Sequence, residues 1–293
     1  MSVSQTPVLQ VRDLVKSFGG IRAVDGLSFE VRPRETVSII GPNGSGKTTV
    51  FNLISGLLRP DAGEILFAGR RIDGLAPDRV AELGIARTFQ NGRVFGNMTV
   101  RENVLVGMHR HLRAARPLPG LRHRPIVHWV SLLAETAVAL VRPRAVREEE
   151  ARLEQEMRQQ LARFGERLLP RQDHLAYSLS YANRRRTEIA RALAMHPLLL
   201  LLDEPTAGMN PTETAEVLDQ LAALRAEGYT MLLIEHKLDL VMTLSDRVIV
   251  LDYGKAIAEG PPSAIQNDER VIEAYLGRRR AAIGIESPPW TSR

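Results

Sequence analysis

The chain contains no cysteine, which excludes disulfides, thiolate catalysis and cysteine-ligated metal sites and suits a reducing compartment. Lysine is nearly as scarce: Lys16, Lys47, Lys237 and Lys255 are four of 39 basic residues. The net charge of +5 and the pI near 9.9 therefore read as arginine-rich composition, not as the footprint of a nucleic-acid or lipid surface. No stretch approaches the roughly 20 uninterrupted apolar residues that a membrane span requires. Residues Met1–Gln10 lack the basic start and apolar core of a secretory leader. There is no internal repeat. What remains is a globular composition of 293 residues, 44% hydrophobic and 25% charged, long enough for a large core and one or two domains.

Against that background one segment stands out. Gly41-Pro42-Asn43-Gly44-Ser45-Gly46-Lys47-Thr48-Thr49 follows an apolar run, Thr36–Ile40, that reads as a buried strand. It precedes Thr49–Leu57, which reads as a helix. A strand, a glycine-rich turn and a helix N-terminus make a phosphate cradle, because backbone N–H groups turn inward there and the helix dipole favours an anion. Lys47 is placed to reach the β- and γ-phosphates, and the Thr48 hydroxyl to hold Mg²⁺.

The first third of the chain alternates apolar runs with turns, as at Val8–Val11, Leu27–Val31 and Glu64–Phe67, and predicts an α/β core. From Gly107 the character changes. His109–Leu133 carries five arginines, four histidines and no acid, broken by Pro117, Pro119, Gly120 and Pro125. It reads as a solvated insertion; contact with anionic headgroups or a membrane partner is the functional alternative. Ile126–Val141 is largely apolar but too short and too polar to span a bilayer. Arg147–Phe164 is predicted helical, with Leu153, Met157, Leu161 and Phe164 on one face. Asn183–Met195 is a second helix.

The last third returns to α/β. Leu198–Leu202 is an all-apolar run, read as a central parallel strand that ends in Asp203-Glu204. Open α/β sheets bind ligands at the C-terminal edge of their strands, so Asp203 is placed to hold Mg²⁺ and Glu204 to act as general base on an attacking water. His236 follows the next strand, Tyr229–Ile234, at the same edge, where it could contact a γ-phosphate and that water. Gln90, in Ala86-Arg87-Thr88-Phe89-Gln90, could ligate Mg²⁺ and orient water through one amide. Asn210-Pro211-Thr212-Glu213 has the form of a capped helix start.

Together these residues resemble the ATP-binding cassette (ABC) ATPases across residues 8–277. The resemblance implies a P-loop α/β cassette over 1–277 with a helical subdomain inserted at about 106–195, and the Arg triplet and Pro pair of the ending predict a disordered tail at 278–293. The resemblance implies that Phe18 stacks on adenine, that Gln90 senses a transmembrane partner, and that Leu179-Ser180-Tyr181-Ala182-Asn183 is the signature motif, with Ser180 in the nucleotide site. It also implies that two cassettes pair head to tail around ATP and Mg²⁺. Ala207-Gly208-Met209-Asn210-Pro211, Leu233–Met242 and the ending through Glu273-Ala274-Tyr275-Leu276-Gly277 are similar to one branch, the subunits of importers for branched-chain amino acids with urea and amide relatives. Such a subunit would sit on the cytoplasmic face of the plasma membrane against integral permeases. Its partners would be a second cassette chain, a different one or else a second copy, and, indirectly, a periplasmic or lipoprotein solute-binding protein, with no nucleic acid. Cassettes for lipid or lipopolysaccharide extraction, and non-transport cassettes acting on nucleic acid or ribosomes, are the other readings. The signature departs from the usual family pattern, which has glycine at the place of Ala182 and glutamine at that of Asn183. A methyl at 182 is tolerated where φ is helical and clashes where φ is positive.

Overall fold

The computed structural model describes residues 6–89, 94–109, 141 and 143–282. They form two compact units: Met1–Asn91 with Pro197–Arg293, and Gly92–His196 between them in the chain.

The first unit holds two sheets. β1 (Leu9–Phe18) and β2 (Ile21–Val31) form a hairpin; β1 also pairs antiparallel with β4 (Ala62–Phe67), and β5 (Arg70–Arg71) completes a four-stranded sheet. The second sheet has six strands in the order β10, β9, β3, β8, β7, β6. Its members are β3 (Thr36–Ile40), β6 (Ile85–Arg87), β7 (Leu199–Asp203), β8 (Met231–Ile234), β9 (Arg247–Asp252) and β10 (Lys255–Gly260). All pairings are parallel except β9 with β10. Every residue of β3, β7 and β8 is buried. Strands covered on both faces read as unbroken apolar runs, not as alternating ones, which is why Leu199–Leu202 and Met231–Ile234 are conspicuous in the sequence.

Helices α1 (Lys47–Ile54) and α2 (Pro77–Leu83) follow β3 and β5 in this unit. Val50, Phe51, Leu53 and Ile54 of α1 join residues of both sheets in one core cluster. The sequence placed the start of α1 at Thr49; it begins at Lys47, because Gly46 is the N-cap and the loop hands directly into the first turn.

The second unit contains α3 (Val100–Met108), α4 (Arg144–Ala162) and α5 (Tyr181–Leu193). Thr99 and Glu102 make a reciprocal capping box on α3, each side chain taking an orphan amide of the other. Leu153, Met157, Leu161 and Phe164 are all buried, as their spacing predicts. The unit starts earlier than the expected 106, because α3 packs on α4 and α5 and belongs with them.

The remaining helices return to the first unit: α6 (Pro211–Ala226), α7 (Leu238–Leu244), α8 (Pro262–Gln266) and α9 (Glu269–Ala282). Asn210 and Glu213 form the capping box that opens α6, with Pro211 at its first position. The expected tail at 278–293 needs correction: the α9 backbone stays helical through Ala282. Arg278, Arg279, Arg280, Ala281 and Ala282 are all good helix formers, so Gly277 does not end the helix. Residues 283–293 lie outside the described residues. Among the described residues no helix is long and apolar enough to cross a membrane.

Candidate functional site

The phosphate loop spans the C-terminal end of β3 and the N-terminus of α1. At two of its glycines the backbone meets contacts that leave no room for a side chain. A Cβ on Gly41 (φ +148°) would lie 2.1 Å from the Leu251 carbonyl oxygen, and one on Gly46 (φ +104°) 2.2 Å from that of Ala23. Both approaches require glycine on steric and conformational grounds. The Gly254 amide donates to the Ser45 carbonyl at 3.0 Å, fastening the loop to the β9–β10 turn. Lys47 is buried, and its ammonium donates to the carbonyls of Gly41 (2.8 Å) and Pro42 (2.9 Å). Its charge is thereby held inside the loop that would receive phosphate.

The helix α9 also reaches this loop. Tyr275 packs with Leu238 and Ile257 against Ile40 and the β9 core, and the Gly41 amide faces its phenol oxygen. Burial pushes the Tyr275 phenol up to about 12, and the Gly41 amide opposes that only in part.

At the end of β7 the two acids separate. Asp203 is fully buried, and one carboxylate oxygen accepts from the Arg87 guanidinium at 2.9 Å. The same guanidinium donates to Asn52 Oδ1 (2.8 Å) and Ser55 Oγ (2.7 Å) and lies over the rings of Phe51 and Phe89. The hydroxyl of Thr88 faces the Asp203 amide at 3.3 Å. Glu204 has φ +49° and is turned out of the strand. Its carboxylate lies 2.8 Å from Nε2 of His236, which leaves the neighbouring strand β8. The two residues predicted to act on an attacking water are thus in contact.

Phe18, at the end of β1, is 46% exposed, with the Lys16 ammonium 5.6 Å from its ring centroid. The Lys16 ammonium, with the Ser17 amide, holds the Asp61 carboxyl below its usual range and so fixes the strand end that carries Phe18.

A family model described as "ABC transporter" matches residues 24–207. The chain belongs to the ABC transporter family. It is an ATP-binding, ATP-hydrolysing cassette. A second model, "Branched-chain amino acid ATP-binding cassette transporter", matches residues 257–281. The high-affinity branched-chain amino acid transport ATP-binding protein LivG of Salmonella typhimurium is 42% identical over 272 residues, 92% of this chain and 98% of that protein. BraF of Pseudomonas aeruginosa, named for the same transport, is 40% identical over 92% of this chain and 98% of its own. Among solved structures, the ADP conformation of an ATP-binding cassette of an ABC transporter superposes with a TM-score of 0.73 at 32% identity. That match covers 93% of this chain and all of the other.

The segment expected to be the signature, Leu179–Asn183, lies in the second unit. Ser180 is the N-cap of α5, its hydroxyl accepting from the Asn183 amide at 3.3 Å. Ala182 lies inside the helix with ordinary right-handed backbone, so the methyl there brings no conformational strain. The Asn183 side-chain oxygen Oδ1 accepts from the Arg186 guanidinium at 2.9 Å. Gln90 lies outside the described residues, as does the arginine-rich segment from residue 110 through Leu133.

Four residues to which the sequence pattern assigns no role are built into these loops: Arg87, Thr206, Glu235 and Tyr275. A signal for Arg87 was present, since an arginine closing a buried apolar strand requires a buried partner. Glu235 carries the same kind of signal, an acid directly after Met231–Ile234.

The donor set fits Mg²⁺. Thr48 and Asp203 offer hydroxyl and carboxylate oxygens, the ligands a hard cation takes. Among the described residues no group of three acids or histidines could cage a metal alone. A cation here would complete its shell from phosphate oxygens and water, which is the habit of Mg²⁺.

Proposed function

We propose that this chain is the ATP-hydrolysing subunit of an importer for branched-chain amino acids. It would work against integral permeases on the inner face of the plasma membrane, paired with a second cassette chain. The observation that carries the hydrolytic part is the 2.8 Å contact between Glu204 and His236 at the sheet edge that also bears the phosphate loop. The cargo rests on the relatives named for branched-chain amino acid transport and on the match at 257–281. Those names favour import over lipid extraction and over a role on nucleic acid or ribosomes.

In this reading Phe18 stacks on adenine, Gly41 turns the chain into the loop, and the amides of Asn43, Gly44, Ser45, Gly46, Lys47, Thr48 and Thr49 surround the phosphates. Lys47 moves its ammonium from loop carbonyls to the β- and γ-phosphates. Thr48, Asp203 and Gln90 would hold Mg²⁺, which would supply positive charge to offset that of the phosphates. Glu204 takes the proton of the attacking water, and His236 fixes that carboxylate and the γ-phosphate. Ser180 of the opposite cassette closes the site. Positioning and electrostatics supply most of the rate in such transfers.

The test is purification of a tagged Glu204→Gln variant from its own cells with ATP present. Loss of the base should trap the closed, ATP-bound pair. Recovery of membrane permeases and a different cassette chain is expected, together with loss of labelled leucine uptake in cells carrying only the variant. Recovery of a lone homodimer, or of nucleic acid or ribosomes, would overturn the reading.

A further inference from the structure

Glu235 is 3% exposed and sits directly before His236. Four donors converge on its carboxylate. One oxygen accepts from the Thr206 amide (3.2 Å) and from the Thr206 hydroxyl. The other accepts from the amides of His236 (2.8 Å) and Lys237 (3.2 Å). Lys237 closes the circuit: its ammonium donates back to the Thr206 carbonyl (3.3 Å) and to Thr214 Oγ1 (2.7 Å) at the base of α6. Every polar backbone group of Thr206, itself fully buried, is therefore bonded to the loop that leaves β8.

These two loops each carry one member of the hydrolytic pair. Glu204 stands two residues before Thr206, and His236 follows Glu235. The Glu204–His236 contact at 2.8 Å spans the same gap, at the exposed side. Beneath it, the Glu204 amide donates to the Ile234 carbonyl at 2.8 Å. The pair is thus set by a brace of buried bonds, with Glu235 at its centre.

We propose that Glu235 is a positioning residue for hydrolysis. Its carboxylate locks the loop after β8 to the loop after β7 and so holds His236 against Glu204. This rests on the reading of Glu204 and His236 as the hydrolytic pair. The residue must be a carboxylate because all four groups aimed at it donate, and a carboxylate only accepts. Glutamine has the same shape but ends in one acceptor and one donor. Turned toward His236 and Lys237, its NH₂ meets two amide N–H groups. Turned the other way, the Thr206 hydroxyl can rotate to accept, but the Thr206 amide still meets a donor. Either orientation strands at least one buried N–H.

The experiment compares steady-state ATP hydrolysis of the full-length purified chain as wild type, Glu235→Gln, His236→Ala and the double variant, with Mg²⁺ present. A stranded donor in the brace should lower kcat by roughly tenfold or more. KM for ATP should stay within about threefold, because the phosphate loop and Phe18 are untouched. If Glu235 acts through His236, the double variant turns over no more slowly than His236→Ala alone. A purely structural role would multiply the two losses, and that result overturns the proposal. So does a Glu235→Gln chain within about twofold of wild type, or one that loses KM and not kcat. Where Glu235→Gln fails to fold, Thr206→Val and Thr206→Ser decide: the serine, which keeps the hydroxyl, should recover turnover that the valine loses, and equal losses refute the brace. If His236→Ala itself turns over like wild type, the hydrolytic pair is wrong and the proposal falls with it, by a result distinct from the others.

Discussion

Replacing Arg87 tests the electrostatics of the site most directly. Its side chain and that of Asp203 are 6% and 2% exposed, and their 2.9 Å contact joins β6 to β7. Removing one member of a buried pair leaves the other charge in low dielectric, at a cost of about 3–5 kcal/mol. Arg87→Met keeps an apolar stem against Phe51 and Phe89, so most of the loss should come from the stranded carboxylate and from Asn52 and Ser55. Total domain stabilities lie near 5–15 kcal/mol, so the variant should fold but be visibly weakened. For a unit of this size the loss corresponds to a melting temperature lower by roughly 6–20 °C. Urea unfolding of wild type, Arg87→Met, Asp203→Asn and the double variant measures the coupling. In the Asp203→Asn background the arginine substitution should cost at least about 1.5 kcal/mol less than in wild type. Equal costs in both backgrounds would refute the stranded-charge argument and assign the loss to packing and to the Asn52 and Ser55 bonds.

The loop glycines should respond according to the space around them. Gly46→Ala meets the Ala23 carbonyl at 2.2 Å as well as an unfavourable φ, whereas Gly44→Ala, at φ +79°, meets nothing within 4 Å. Gly44→Ala should cost only the left-handed conformation, about 1–2 kcal/mol, and Gly46→Ala clearly more, as read by urea unfolding without nucleotide. Tyr275 gives a pH signature. Its folded pKa is about 12 against 10.0 for the free side chain, so the unfolded chain loses its proton first and stability falls as pH rises between those values. Up to about 2–3 kcal/mol should disappear across that window, and Tyr275→Phe should flatten the fall relative to wild type in alkaline unfolding titrations.

What the sequence makes legible here is local. The phosphate loop, the β7 run ending in Asp203-Glu204 and the Asn210–Glu213 cap are each readable because strand, turn and helix signals follow one another within a few residues. The stripe Leu153, Met157, Leu161, Phe164 is readable because a helix repeats its buried face. What is hidden is set by strand pairing. Arg87 and Asp203 are 116 residues apart, and Thr206 and Glu235 are 29 apart. They meet only because β6, β7 and β8 lie side by side in parallel, with Arg87 opposite Leu201 and Asp203 opposite Ile234. Tyr275 is hidden by chain distance instead: helix α9 brings it to Gly41 from the far end of the chain. It lies in the segment matched by the branched-chain amino acid cassette model, and Ile265, Val271 and Tyr275 of that segment pack with Ile40, just before the phosphate loop.

The backbone at Glu204 explains how two adjacent acids acquire different work. A regular strand sends successive side chains to opposite faces. At Glu204 the chain instead enters the left-handed region, at φ +49°, a conformation that costs a residue with a Cβ about 1–2 kcal/mol. The surroundings over-determine it: its amide still bonds Ile234 as β7 does throughout, and its carbonyl accepts from Ala207 at 3.1 Å to close the turn. Strain that persists in this way marks a position fixed from both sides. The result is a division by environment. Asp203 stays with the strand, buried and charge-paired to Arg87 at 2.9 Å, a rigid anionic group at the base of the site. Glu204 leaves the strand and meets His236 at 2.8 Å on the more exposed side, which suits the role of general base proposed for it. In the proposed brace Glu235 holds the other half of that contact in place, so hydrolysis at the sheet edge would depend on a buried carboxylate set behind the pair.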